Sequence, residues 1–203
     1  MKFSSKSAEL SRISTSCMVL GVHEKSILSD AATEADKACN GAIENIVKQG
    51  DLKGKIGQFL LLHNVPGLKA KRILLVGCGS KKKLTAKKFV SIVRHAINAL
   101  EKYSLPDALL TLSMLDFNDH DAADKAKLIA QTAVTAQYHY STTKSGAAPA
   151  AKLKAVVVYV RDRSEQAKAR AGLELGKALG KGINTARELG NLPANICTPA
   201  YLA

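Results

Sequence analysis

The chain has 203 residues and a formal net charge of +13, long enough for one filled domain or one domain with an appendage. Hydrophobic residues make up 46% and charged ones 23%, which excludes disorder of the whole chain, and no apolar run approaches the ~20 residues of a membrane span. Tryptophan is absent and aromatics are only 4%, too few for a stacking platform that grips single-stranded nucleic acid.

The N-terminal Met1-Lys2-Phe3-Ser4-Ser5-Lys6 carries charge with no apolar stretch behind it, so it does not read as a secretory signal. The first predicted strand is Cys17–Val22. A helix follows from Ser29-Asp30 to Gly50, with Ala35, Cys39, Ala42 and Ile46 on one stripe. Two strands come next, Gln58–His63 and Arg72–Val76. The second helix starts behind Thr85, a capping residue. Its Phe89, Ile92, Val93, Ala96, Ile97 and Leu100 follow helical spacing, with Lys87, Arg94, Asn98 and Lys102 opposite. A strand at Ala108–Leu112, a helix from about Asp121 to Gln137, a small polar loop at Ser141–Ala150 and a strand at Ala155–Val160 complete the alternation. Several of these strands are apolar on both faces, as strands covered by helices on each side are. The pattern predicts an α/β fold.

The last helix begins behind Ser164 and runs to about Leu189, longer than most globular helices. It carries Gly172, Gly176, Gly180 and Gly182, each costing roughly 0.5–1 kcal/mol against alanine in a helix interior. Such a helix is expected to pack closely against something. Beyond it, Thr198-Pro199 has the look of a helix start, a cap followed by proline at the first helical position. A chain that opens a helix and stops four residues later reads as cut there.

The chemistry-bearing motifs are few. Cys17, Cys39, Cys78 and Cys197 are widely spaced, with no CxxC pair, as in a reduced, cytoplasmic protein. There is no HExxH and no GxSxG, and the five histidines are scattered. SxxK occurs at Ser80–Lys83 and Ser141–Lys144 without the companion elements that would give it meaning. The turn Val76-Gly77-Cys78-Gly79-Ser80-Lys81-Lys82-Lys83 joins a strand to a helix. Its glycine amides and lysines could cradle an anion. It lacks the Walker spacing, and Lys82 stands where a dinucleotide fingerprint needs a third glycine; the plainer reading is a tight turn with solvated lysines. Between Lys48 and Lys102 thirteen Lys/Arg face two acids, Asp51 and Glu101. Within that segment Lys81, Lys82, Lys83, Lys87, Lys88, Arg94 and Lys102 are the candidate contacts to a polyanion such as DNA. Solubility, or an acidic neighbouring surface, explains the same charges.

The stretch from Gly182 to Ala203 resembles the start of the catalytic domain of the leucyl (cytosol) aminopeptidase family, which reads A-R-x-L-x-N-x-P-x-N-x-x-T-P-x-x-L-A at this point. Ala186, Arg187, Leu189, Asn191, Pro193, Asn195, Thr198, Pro199, Leu202 and Ala203 match it. Upstream, Arg72–Gly79 is similar to the family's R-[VI]-L-L-V-G-x-G strand and turn.

The resemblance implies a three-layer α/β/α sandwich with a mixed central sheet, similar to a macro domain, over residues 1–163. Residues 164–203 would then be the connecting helix and the start of the catalytic domain. It implies cytoplasmic, homo-hexameric exopeptidases that release N-terminal residues, often leucine, from peptides. Two divalent metals (zinc, manganese or magnesium) would be held by a lysine, three aspartates and a glutamate, all downstream of Ala203 in the family's order. No catalytic, metal or cofactor residue is therefore assigned in this chain. The expected partners are the catalytic domain and the other subunits, with no membrane. The alternatives are DNA binding, a second role of some bacterial members, and ADP-ribose binding of the kind macro-like domains perform.

Overall fold

The computed structural model describes residues 1–117, 119–143 and 150–202. In chain order its elements are β1 (Lys2–Lys6), β2 (Met18–His23), β3 (Ile27–Leu28), α1 (Asp30–Ala38), α2 (Ala42–Lys48), β4 (Phe59–His63), β5 (Arg72–Gly79), α3 (Ala86–Lys102), β6 (Asp107–Leu110), α4 (Ala122–Ala136), β7 (Ala155–Tyr159), α5 (Gln166–Asn191) and α6 (Pro199–Leu202). The strands form one sheet in the order β1-β7-β6-β2-β5-β4, with β3 folded back on β2. The β1/β7, β7/β6, β6/β2 and β2/β5 pairs are parallel, and β4/β5 and β2/β3 antiparallel. The mixed sheet agrees with the sequence reading.

Alternation along the strands sends side chains into two separate cores. On one face Val19, Leu74, Val76, Leu110, Val156 and Val158 meet Phe89, Ile92, Val93 and Ile97 of α3, Ile129 and Ala133 of α4, and Leu173 of α5. On the other, Met18, Leu20, Val22, Ile73, Leu75 and Leu109 meet Ala31 and Ala35 of α1 and Ile43 and Val47 of α2. Helices thus cover both faces, giving three layers.

The two expected caps are in place: Thr85 Oγ1 accepts from Lys88 N at 3.4 Å and Thr198 Oγ1 from Tyr201 N at 3.3 Å. Ser29 Oγ, accepting from Ala32 N at 3.3 Å, and Asp121 Oδ1, accepting from Asp124 N at 2.9 Å, cap α1 and α4 in the same way.

One expectation is corrected, and two strands are added that the sequence reading did not include. The helix read over Ser29–Gly50 is two helices, because Asn40 (φ 54°) and Gly41 (φ 80°) take left-handed backbone between them. Asp36 Oδ1 then accepts from Ile43 N at 2.8 Å and Glu44 N at 3.0 Å, so a side chain of α1 caps α2. The first added strand is the charged N-terminus: Lys2 to Lys6 pair with Ala155 to Tyr159 of β7. The second is the short β3. Most of the loop read at Ser141–Ala150 lies outside the described residues.

Candidate functional site

The strand-to-helix turn after β5 is built for close backbone packing. A Cβ on Gly77 would sit 2.0 Å from the Lys55 carbonyl oxygen, and Gly79 has a φ of 69° that favours glycine. Gly77 N donates to Gln58 O at 2.9 Å and Gly79 N to Gly54 O at 2.8 Å. These amides are already engaged, so they cannot also cradle a phosphate. The glycines serve the packing of residues 54–58 onto β5, which favours the plainer reading of the turn.

The basic residues around it are spread rather than convergent. Lys81, Lys82 and Lys83 form one exposed 3₁₀ turn. Lys81 Nζ lies 3.4 Å from Asp30, and Lys88 Nζ donates to Lys83 O at 2.8 Å. Lys87 and Arg94 are exposed along α3. Lys102, at the far end of α3, sits 5.9 Å from the Phe59 ring centroid and 6.0 Å from that of Tyr103. Lys144, the end of the second SxxK match, lies outside the described residues.

His23 ties two strand ends together, a role its sequence context did not signal. It is buried, and its Nδ1–H donates to Gly79 O at 3.1 Å. Burial lowers its pKa, only partly opposed by the Gly79 carbonyl, and Lys81 lowers it further. Lys125, equally unsignalled, is buried on α4 and reaches Asp116 at 3.2 Å and the Phe117 ring at 5.8 Å. It lines a cleft of about 250 Å³ with Ser113, Arg161, Asp162 and Glu165 beyond the ends of β6 and β7. Among the described residues no three His, Cys, Asp or Glu side chains gather in a way that could hold a metal ion. No described helix is long and apolar enough to cross a membrane.

The most specific surface is on α5. A Cβ on Gly172 would meet Ala123 O at 2.1 Å, on Gly176 Lys127 O at 2.2 Å, and on Gly180 Val134 Cβ at 2.8 Å. The partners rise in number with the glycines, so α4 and α5 run parallel, in backbone contact along one seam. Further on, Asn184 Nδ2 donates to Val134 O at 3.0 Å and Arg187 Nη1 to Thr135 O at 3.1 Å. Tyr138 donates its hydroxyl to Glu188 at 2.9 Å and accepts from Asn191 Nδ2 at 3.1 Å. The close packing predicted for this helix is therefore satisfied within the chain, with Gly182 the exception, since nothing lies near it. The opposite face of α5 is bare: Ala171, Leu175, Ala178, Leu179 and Ala186 are exposed, as are Ile196 and Tyr201 beyond it.

A family model described as the N-terminal domain of the cytosol aminopeptidase family matches residues 19–147. A probable cytosol aminopeptidase of Nitrosococcus oceani is 43% identical over 190 residues, 93% of this chain and 38% of the relative. One from Halorhodospira halophila is 37% identical over 203 residues, 100% of this chain and 41% of the relative. The chain thus spans about two fifths of the length of the curated relatives it matches. Among solved structures, a mutant of tomato leucine aminopeptidase superposes with a TM-score of 0.79 at 21% identity, covering 100% of this chain and 40% of that one. The bottromycin maturation enzyme BotP gives 0.66 at 22%, covering 93% and 35%, and a further structure of BotP, described as in complex with Mn, gives 0.65.

Proposed function

Because the chain belongs to the cytosol aminopeptidase family, through its N-terminal domain, we propose that it is the non-catalytic N-terminal portion of a metal-dependent leucyl aminopeptidase. The observation that carries this reading is the coverage: the match is to the N-terminal domain, and it spans only 38% to 41% of relatives described as aminopeptidases. The peptide-cleaving centre then belongs to the polypeptide beyond residue 203. Two divalent metals there would activate water and polarise the peptide carbonyl. The described residues of this chain do not supply a ligand set for them, and the manganese in one BotP structure is consistent with a metal centre elsewhere in such enzymes. The relatives give no support to DNA or ADP-ribose binding as the primary role.

The chain's own part is assembly. The bare α5 face and the exposed Ile196 and Tyr201 are the surface on which the catalytic portion, and through it a cytoplasmic homo-hexamer, would seat. Residues 164–203 would be the connecting helix and the start of the catalytic domain.

The test is leucine anilide hydrolysis with added manganese or zinc. The 203-residue chain stays at background, whereas the chain continued by a relative's C-terminal portion turns over and loses activity with chelator. Chelator-sensitive turnover by the chain alone would overturn the proposal.

A further inference from the structure

The two edges of the sheet are made differently. β1, at one edge, reads Lys-Phe-Ser-Ser-Lys, a polar strand with lysine at each end, the usual protection against unwanted strand pairing. β4, at the other edge, reads Phe-Leu-Leu-Leu-His, with no charge or proline in it. Phe59, Leu60, Leu61 and Leu62 are each only half-buried.

Parity fixes which backbone groups are free. Gln58 O accepts from Gly77 N, and Asn64 N donates to Lys71 O. The register pairs Leu60 with Leu75 and Leu62 with Ile73, so the even-numbered residues bond to β5. The N–H and C=O groups of Phe59, Leu61 and His63 therefore point outward. No other described strand pairs with β4.

The surroundings of this edge carry one sign of charge. Residues 52–72 hold Lys53, Lys55, Lys69, Lys71 and Arg72 and no Asp or Glu. Lys55 sits at the turn into β4, Lys71 and Arg72 at its far end, and Lys102 beside Phe59. None of these four lies within ion-pair distance of a carboxylate among the described residues.

We propose that β4 is a docking edge for an extended, acidic segment of a separate polypeptide, which adds as a further strand. Main-chain bonds to Phe59, Leu61 and His63 hold it, and the flanking cations select its acidic side chains. A second copy of this chain would set lysines against lysines. α5 packs on β1, at the opposite edge of the sheet and about 24 Å across it from β4.

The probe is a blocked ten-residue peptide alternating valine and glutamate, compared with a twin carrying lysine for glutamate. Binding is read by fluorescence anisotropy, and amide exchange of the 203-residue chain by NMR. The acidic peptide is expected to bind and to slow exchange at Phe59, Leu61 and His63, with the lysine twin about tenfold weaker or worse. Leu61→Pro removes one outward N–H without touching the β5 ladder and abolishes binding. The pair Lys55→Glu and Lys71→Glu, both at exposed positions, reverses the preference between the two peptides. The proposal is overturned by unchanged exchange at the three amides or by equal binding of both peptides. A chain dimer that protects the same amides also overturns it, in favour of a second copy. Displacement of the peptide by duplex DNA, with the three amides still fast, assigns the cations to nucleic acid instead.

Discussion

Three glycines on α5 look alike in sequence to a fourth that behaves in the opposite way. At Gly172 and Gly176 a methyl group would enter the backbone of α4, so Gly172→Ala and Gly176→Ala should each destabilise by about 1–3 kcal/mol, overpacking outweighing alanine's helical advantage. Gly182 has nothing within 4 Å, and Gly182→Ala should stabilise by up to about 1 kcal/mol. Urea midpoints of the three variants check the contrast. His23 makes a second residue-level prediction. Burial lowers its pKa from 6.5, so the folded state disfavours the imidazolium. The stability this brings is complete above the unfolded value and is lost as pH falls through the lower, folded one. The urea midpoint should therefore drop on acidification below about pH 6.5, and His23→Gln should flatten that limb. An unchanged slope in the variant would remove His23 as the cause.

Among the elements, those with strong periodicity were the most legible. The apolar positions read for α3 are the buried ones, and Thr85 caps it as expected. The break between α1 and α2 was missed because the stripe of Ala35, Cys39, Ala42 and Ile46 spans it. The dipeptide Asn40-Gly41 was the available signal, a pair that readily takes left-handed backbone; the Asp36 cap that secures the second helix acts across seven residues and leaves no local pattern. α5 was legible in extent and in its need for close packing, but not in its partner, since α4 is brought alongside by the tertiary fold. Its outer face yields a prediction about the element. Leu175 is 53% exposed, so Leu175→Glu should change the stability of this chain by less than about 0.5 kcal/mol. In a chain continued by the catalytic portion, the same change should lower the melting temperature and the activity together. Amide exchange should be faster over 192–202 than along the buried stripe of α3.

Across the whole molecule, the sheet's interior strands were readable from their doubly apolar sequences, whereas its edges were not. β1 has almost no strand signal of its own and exists because β7 offers it a partner. This gives a prediction for the assembled domain: removing residues 1–7 should uncover the edge of β7, whose sequence is Ala-Val-Val-Val-Tyr, and light scattering should then detect concentration-dependent aggregation. The register that places Lys2 opposite Ala155 also sets a schedule. At about 5–20 residues per second of synthesis, β1 leaves the ribosome roughly eight to thirty seconds before the strand it pairs with exists. A strand made mostly of lysine and serine can spend that interval in water without recruiting a wrong partner, whereas a hydrophobic one would be a hazard in every polysome. The plainness of β1 thus answers to the order in which the chain is made.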